Sequence, residues 1–222
     1  MDVKSLSTPE ETEAEHDGEA EFERPRTKAG QREATVAALI AAARELFAER
    51  GYAAVGTEEI VQRAGVTRGA LYHHFKRGKE ELFRAVLVEL SAELVQRVVK
   101  LAGRAEDPWE ELVVGCNAFL DACAIPEVQQ IMLVDGPSVL GWNVWREIDS
   151  GYALGALEAA VQNAIDAGQM APAPANAVAH VLLGALVEAA MVVARADDQD
   201  AARVEMGQTV RRLLEGLRAP SL

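Results

Sequence analysis

The chain has 222 residues, half of them hydrophobic and 5% aromatic, with a formal net charge of −13. That length fits one large domain or two small ones, and the dominance of Ala, Leu and Val favours helices over a β-sandwich. The charge taken whole argues against a polyanion as partner, but it is unevenly placed. Residues 1–23 hold one Lys against nine Asp/Glu, residues 24–104 hold 15 Lys/Arg against nine, and residues 105–222 hold six against 17. A basic middle between two acidic flanks is the footprint of a polyanion-binding module joined to something else.

In chain order, residues 1–28 carry almost no large apolar side chain and are expected to form a disordered acidic tail. Its basic end, "RPRTKAG", reads first as solvated chain and second as an arm for phosphates or a minor groove. From Gln31 the spacing of Val36, Ile40, Ala43 and Phe47 predicts a helix that Gly51 stops. After "YAAVG", Thr57 is expected to cap a short helix with Glu58 and Glu59 at its positive end. Gly65 breaks it, Thr67 caps a third helix through about His74, and Gly78 interrupts again. A long fourth helix follows, with the stripe Leu82, Val86, Leu90, Leu94, Val98 and Leu101. Further helices are expected at about 108–123, 127–135, 140–167, 173–195 and 200–217, with prolines near their ends. No alternating strand pattern appears, so the fold class is all-α.

Helix, "AGV" turn, helix across 58–74 fits a helix-turn-helix. On a helical wheel Ala70, Leu71 and Phe75 fall inside, Arg68, Gly69, Tyr72, His73 and Lys76 fall outside, and His74 sits at the boundary. The outer set offers donors to phosphate oxygens and base edges, and Gly69 permits close backbone approach. Lys79 opens the fourth helix, where the dipole disfavours a cation, so a phosphate is its expected neighbour.

These segments resemble the DNA-binding domain of the tetracycline-repressor (TetR) family of bacterial regulators. The likeness covers roughly residues 31–88 and rests on "LFAERGYAAVGTEEIVQRAGV" and "GALYHHFKRGKEEL". It implies a helix-turn-helix domain at 29–78, a connecting helix at 79–104 and a helical ligand-binding and dimerisation domain at 105–222. Carried over, it implies Thr57 at the start of the supporting helix. Thr67, Arg68, Gly69, Tyr72, His73 and His74 would lie on the recognition helix, with Lys79 on phosphate. "FKRGKEEL" is one residue longer than the commoner "FKxKEEL" link. The implied partners are a double-stranded DNA operator of near-palindromic sequence and a second copy of the chain, paired through the helices at 173–195 and 200–217. The first of these helices offers Val178, Leu182, Ala185 and Ala189 for close approach. Ligand binding would then change the spacing of two reading heads through the long fourth helix. The expected function is a repressor released by a small molecule. An activator or dual regulator is the alternative, as is a helical ligand-binding or scaffold protein without operator binding.

In the C-terminal half, "IMLVDGPSVLGWNVWREID" resembles a subgroup of the same family. The expected ligand is small and apolar or amphipathic, and the candidate contacts are Trp109, Phe119, Met132, Trp142, Trp145, His180 and Met191. Each competes with plain core packing. Cys116 and Cys123 lie seven apart on one helix, about 10 Å along its axis, too far for a disulfide. No metal-ligand spacing, nucleophile elbow or phosphate loop is present, so neither an enzyme nor a cofactor is expected. The apolar run near 178–195 contains His180, Glu188 and Arg195 and reads as a buried helix, not a membrane span. Cytoplasmic residence is the default expectation.

Overall fold

The computed structural model describes residues 28–219. The acidic tail and most of the basic "RPRTKAG" stretch lie outside the described residues. Within them the secondary structure is helical, apart from one isolated antiparallel bridge between Met170 and Arg218.

The N-terminal head comprises α1 (Lys28–Ala54), α2 (Thr57–Arg63), α3 (Arg68–His74) and the first turns of α4 (Lys79–Ala102). Of the α1 stripe Ala43 and Phe47 are buried, together with Leu39 and Leu46 beside them, whereas Val36 and Ile40 are only half-buried. It closes on Ile60 and Val61 of α2, Leu71 of α3, and Leu82 and Phe83 of α4. Phe47, Tyr52 and Phe83 form an aromatic triangle with ring centroids 5.2–5.5 Å apart, mostly edge-on. Gly51 breaks the helical path of α1 with φ 75° and ψ 158°, a left-handed region where a side chain is strained.

The α4 helix runs out of this head into the C-terminal bundle. Leu82, Val86, Leu90 and Leu94 are buried, whereas Val98 and Leu101 are only half-buried. The bundle adds α5 (Pro108–Cys123), α8 (Trp142–Asp166), α9 (Ala175–Arg195) and α10 (Gln199–Glu215). Asp107 caps α5 by accepting from the Glu110 amide at 3.0 Å, with Pro108 in the first turn. Asp198 does the same for α10 at 2.9 Å. Both cysteines are free and buried, and burial pushes the Cys116 thiol up to about 12. By length and hydropathy α9 could span a bilayer, yet half of its most apolar stretch is buried inside the protein.

The single α-helix expected at 127–135 is instead two kinds of winding, and the helical path runs on to residue 140. A short α6 (Pro126–Val128) leads into a π-helix (Gln129–Asp135), and α7 (Gly136–Leu140) follows. The wider winding is held at its end by the Gly136 amide, which donates to the Ile131 carbonyl. The next bond of that series would need an N–H on Pro137, which has none. The indole Nε1 of Trp145 fills the gap, donating to the Met132 carbonyl at 2.7 Å. Gly136 makes room for that ring. A Cβ there would lie 2.6 Å from Trp145 Cδ1.

Candidate nucleic-acid interface

The turn between α2 and α3 sets the interface. Gly65, at φ 66°, ends α2, and Thr67 starts α3 by accepting from the Ala70 amide at 3.2 Å. Thr67 therefore caps as expected. Thr57 does not: the cap position is Gly56, without a side-chain bond, and Thr57 is the first helical residue, half-buried. A Thr67→Ala change should cost about 1 kcal/mol, measured by urea unfolding. Unchanged stability would show that this cap is idle.

The wheel reading of α3 matches the structure. Leu71 and Phe75 are buried, His74 is half-buried, and Arg68, Gly69, Tyr72, His73 and Lys76 face outward. Tyr72 leans on the turn into α4. A Cβ at Gly78 would meet its Cε1 at 3.0 Å. Arg68 holds its guanidinium 5.6 Å from the Tyr72 ring centroid and pairs with Glu58 at 2.7 Å. That pair is exposed on both sides, so it adds little stability and is readily exchanged for another anion. His73 and His74 meet edge to face, with centroids 5.0 Å apart. Desolvation, then the positive neighbours His73, Arg32 and Lys76, push the His74 pKa down. A locally cationic surface of this kind is what an approaching phosphate strand lowers in energy.

Lys79 has a position that the sequence did not show. Its ammonium donates to the carbonyls of Tyr52 at 2.9 Å and Val55 at 2.8 Å, and lies 3.9 Å from the Tyr52 ring centroid. It closes the C-terminal end of α1, where orphan carbonyls attract a cation. The extra residue in "FKRGKEEL" is accommodated by Gly78 at φ 66°. Desolvation lowers the Lys79 pKa, with the Asp135 charge opposing the shift.

Asp135 belongs to the π-helix, yet its carboxylate accepts from the Tyr52 amide at 2.7 Å. One peptide segment at the end of α1 is thus held from two sides, by Lys79 of α4 and by Asp135 of the regulatory half. A second bridge lies higher. Arg44 of α1 donates to Glu127 at 2.6 Å and pairs with Glu93 of α4 at 2.8 Å. The hydrogen bond to Glu127 is the main cause that drives the Arg44 pKa upward. Neither bridge was legible in the sequence, because Arg44 and Tyr52 each lie 83 residues from their partners.

Below the head, α4, α5, α8 and α9 diverge around a cavity of ≈ 220 Å³. Val98 of the α4 stripe is half-buried because it faces this space. Of the seven ligand contacts expected from sequence, only Phe119 lines it. Trp109, Met132 and Met191 are core residues, and Trp145 serves the π-helix. His180 is exposed on α9, and Trp142 is 55% exposed, its ring 4.9 Å from that of Trp145. Large side chains fill gaps between helices, so they mark packing. The open space is bordered by aliphatic and small residues that carry no distinctive signal. Among the described residues no cluster of three or more His, Cys, Asp or Glu could hold a metal ion.

Known proteins share this architecture. Residues 39–86 match the model for bacterial regulatory proteins of the tetR family, and residues 109–217 match a tetracyclin repressor-like C-terminal domain. The Transposon Tn10 TetC protein of Escherichia coli is 29% identical over 153 residues, 68% of this chain and 75% of that protein. The HTH-type transcriptional activator FasR of Mycolicibacterium smegmatis is 41% identical over 83 residues, 37% of each chain. A crystal structure of a TetR-family transcriptional regulator from Pectobacterium atrosepticum superposes with a TM-score of 0.79 and is 35% identical. That match covers 89% of this chain and all of the other. RolR in complex with resorcinol superposes with a TM-score of 0.66 at 20% identity, over 87% of this chain and 99% of that one. A helix-turn-helix whose second helix, α3, faces outward, joined through α4 to a helical bundle and matched over both halves, places the chain in the TetR family of DNA-binding transcriptional regulators.

Proposed function

We propose that this regulator is a repressor that binds a near-palindromic operator as a homodimer and leaves it when a small molecule occupies the cavity among α4, α5, α8 and α9. The observation that carries the proposal is the outward face of α3. Arg68, Gly69, Tyr72, His73 and Lys76 are exposed there. In this reading α3 enters the major groove, with Tyr72 and His73 at base edges and Arg68 moving from Glu58 to a phosphate. Thr57, Thr67 and His74 sit at the rim, within reach of the sugar-phosphate backbone. Lys79 supports the frame from behind, its ammonium held on the Tyr52 and Val55 carbonyls.

Pairing of two chains is supported by apolar side chains exposed on the last helices: Val181 and Val192 on α9, and Val204 and Leu213 on α10. The α9 stripe proposed from sequence turns inward instead. Leu182 and Ala189 are buried, and Val178 and Ala185 are half-buried within the chain. The exposed stripe is one position away, at Ala177, Val181, Gly184, Glu188 and Val192. Two-fold pairing there would set the reading helices one DNA turn apart, about 34–36 Å.

Selection of bound duplexes from a random pool tests the proposal. The expected product is an inverted repeat, with affinity falling steeply as salt rises because cationic contacts release counterions. Recovery of no preferred sequence would overturn operator binding and favour a ligand-binding protein of the same fold. Activation is a second reading with a specific motive, since the relative FasR is named an activator. Deleting the gene separates the two. Target transcription rises for a repressor and falls for an activator. Cytoplasmic residence accompanies either reading.

A further inference from the structure

The cavity has an unusual balance of charge for its size. Its walls are almost wholly aliphatic, built by residues such as Leu94, Val98, Leu112, Leu157 and Leu186. Among the described residues only three polar side chains border it: Cys116, Asn163 and Glu111. The Cys116 thiol, raised to about 12 by burial, stays neutral. Among the described residues no Lys, Arg or His lines it. Glu111 is therefore the one formal charge on the wall. Its neighbour Glu110 approaches Arg211 at 3.9 Å, whereas the Glu111 carboxylate has no hydrogen-bond or ion-pair partner among the described residues. Glu111 stands in the first turn of α5. A half-buried, unpaired carboxylate at the edge of an apolar space is costly until a donor reaches it.

We infer that the cavity takes a lipophilic cation: an apolar body carrying a protonated amine, with the ammonium on Glu111 and the body along the α4 and α8 walls. Asn163 supplies a neutral acceptor for a remaining N–H. A carboxylate of the same length is excluded, because its charge would meet Glu111 with no counter-cation on the wall. This inference rests on the cavity being the effector site, which the proposed function assumes.

Calorimetric titration of the full chain with octylamine, octanol and octanoate at neutral pH tests it. The alkyl body is constant, so only the head group varies. Octylamine, protonated at that pH, should bind about tenfold more tightly than octanol, as expected for one charge-assisted hydrogen bond, and octanoate should not bind. Glu111→Gln should bring the amine down to the alcohol while leaving the alcohol unchanged. Octanoate binding as tightly as octylamine, or an amine preference that survives Glu111→Gln, overturns the cationic class. An Ala160→Trp variant, which fills the space, tests the cavity separately. If it leaves octylamine binding unchanged, the amine sits elsewhere. If none of the three compounds binds the unmodified chain, the cavity reading falls as well.

Discussion

A Tyr72→Ala variant should lose operator affinity by about 10- to 100-fold, the worth of one good base-edge or phosphate contact, while unfolding at nearly the same temperature. The reasoning separates two roles of one side chain. Tyr72 is 39% exposed and rests against the turn at Gly78, so its removal opens little buried space. Its hydroxyl and ring edge lie on the face that also carries Arg68 and His73. If the duplex lies there, the loss appears in the dissociation constant and not in the melting curve. Fluorescence anisotropy with a labelled operator, paired with a thermal melt, reads both. Unchanged affinity would remove α3 from the groove and with it the proposed function.

The second large effect is expected in stability. Lys79→Met keeps the aliphatic stem but removes the ammonium that serves the Tyr52 and Val55 carbonyls. Hydrogen bonds to a charged group are worth about 1.5–3 kcal/mol. For a chain of this size that loss lowers the melting temperature by about 5–10 °C. The slope of log affinity against log salt should stay the same, because an ammonium held on carbonyls releases few counterions. A slope reduced by about one with an unchanged melt would instead assign Lys79 to a phosphate. The two outcomes distinguish a support of the reading head from a contact on DNA.

Local chemistry was the legible part of the sequence. The glycines at 51, 65 and 78 and the Thr67 cap fall where a turn or a helix start requires them, because each acts within a few residues of chain. The inward and outward faces of α3 were equally plain, since seven residues at helical spacing leave little ambiguity about Leu71 and Phe75 against Tyr72 and His73. What stayed hidden depended on distant partners. Lys79 looked free because its two acceptors lie 27 and 24 residues earlier. Trp145 looked like a ligand contact, yet it answers a missing N–H on Pro137, an acceptor that only the π-winding creates. The cavity escaped notice because an empty space is defined by where helices part, and the residues beside it are ordinary Ala, Val and Leu.

The π-helix between Gln129 and Asp135 has one consequence for comparing this chain with others. A π-turn holds one residue more than an α-turn, so removing a single residue inside it would return the backbone to ordinary i→i+4 bonding with little change of phase downstream. The Met132 carbonyl would then accept from a backbone amide, and the indole of Trp145 would face an acceptor already in use. A homologue one residue shorter here would offer no free carbonyl to an indole at the Trp145 position.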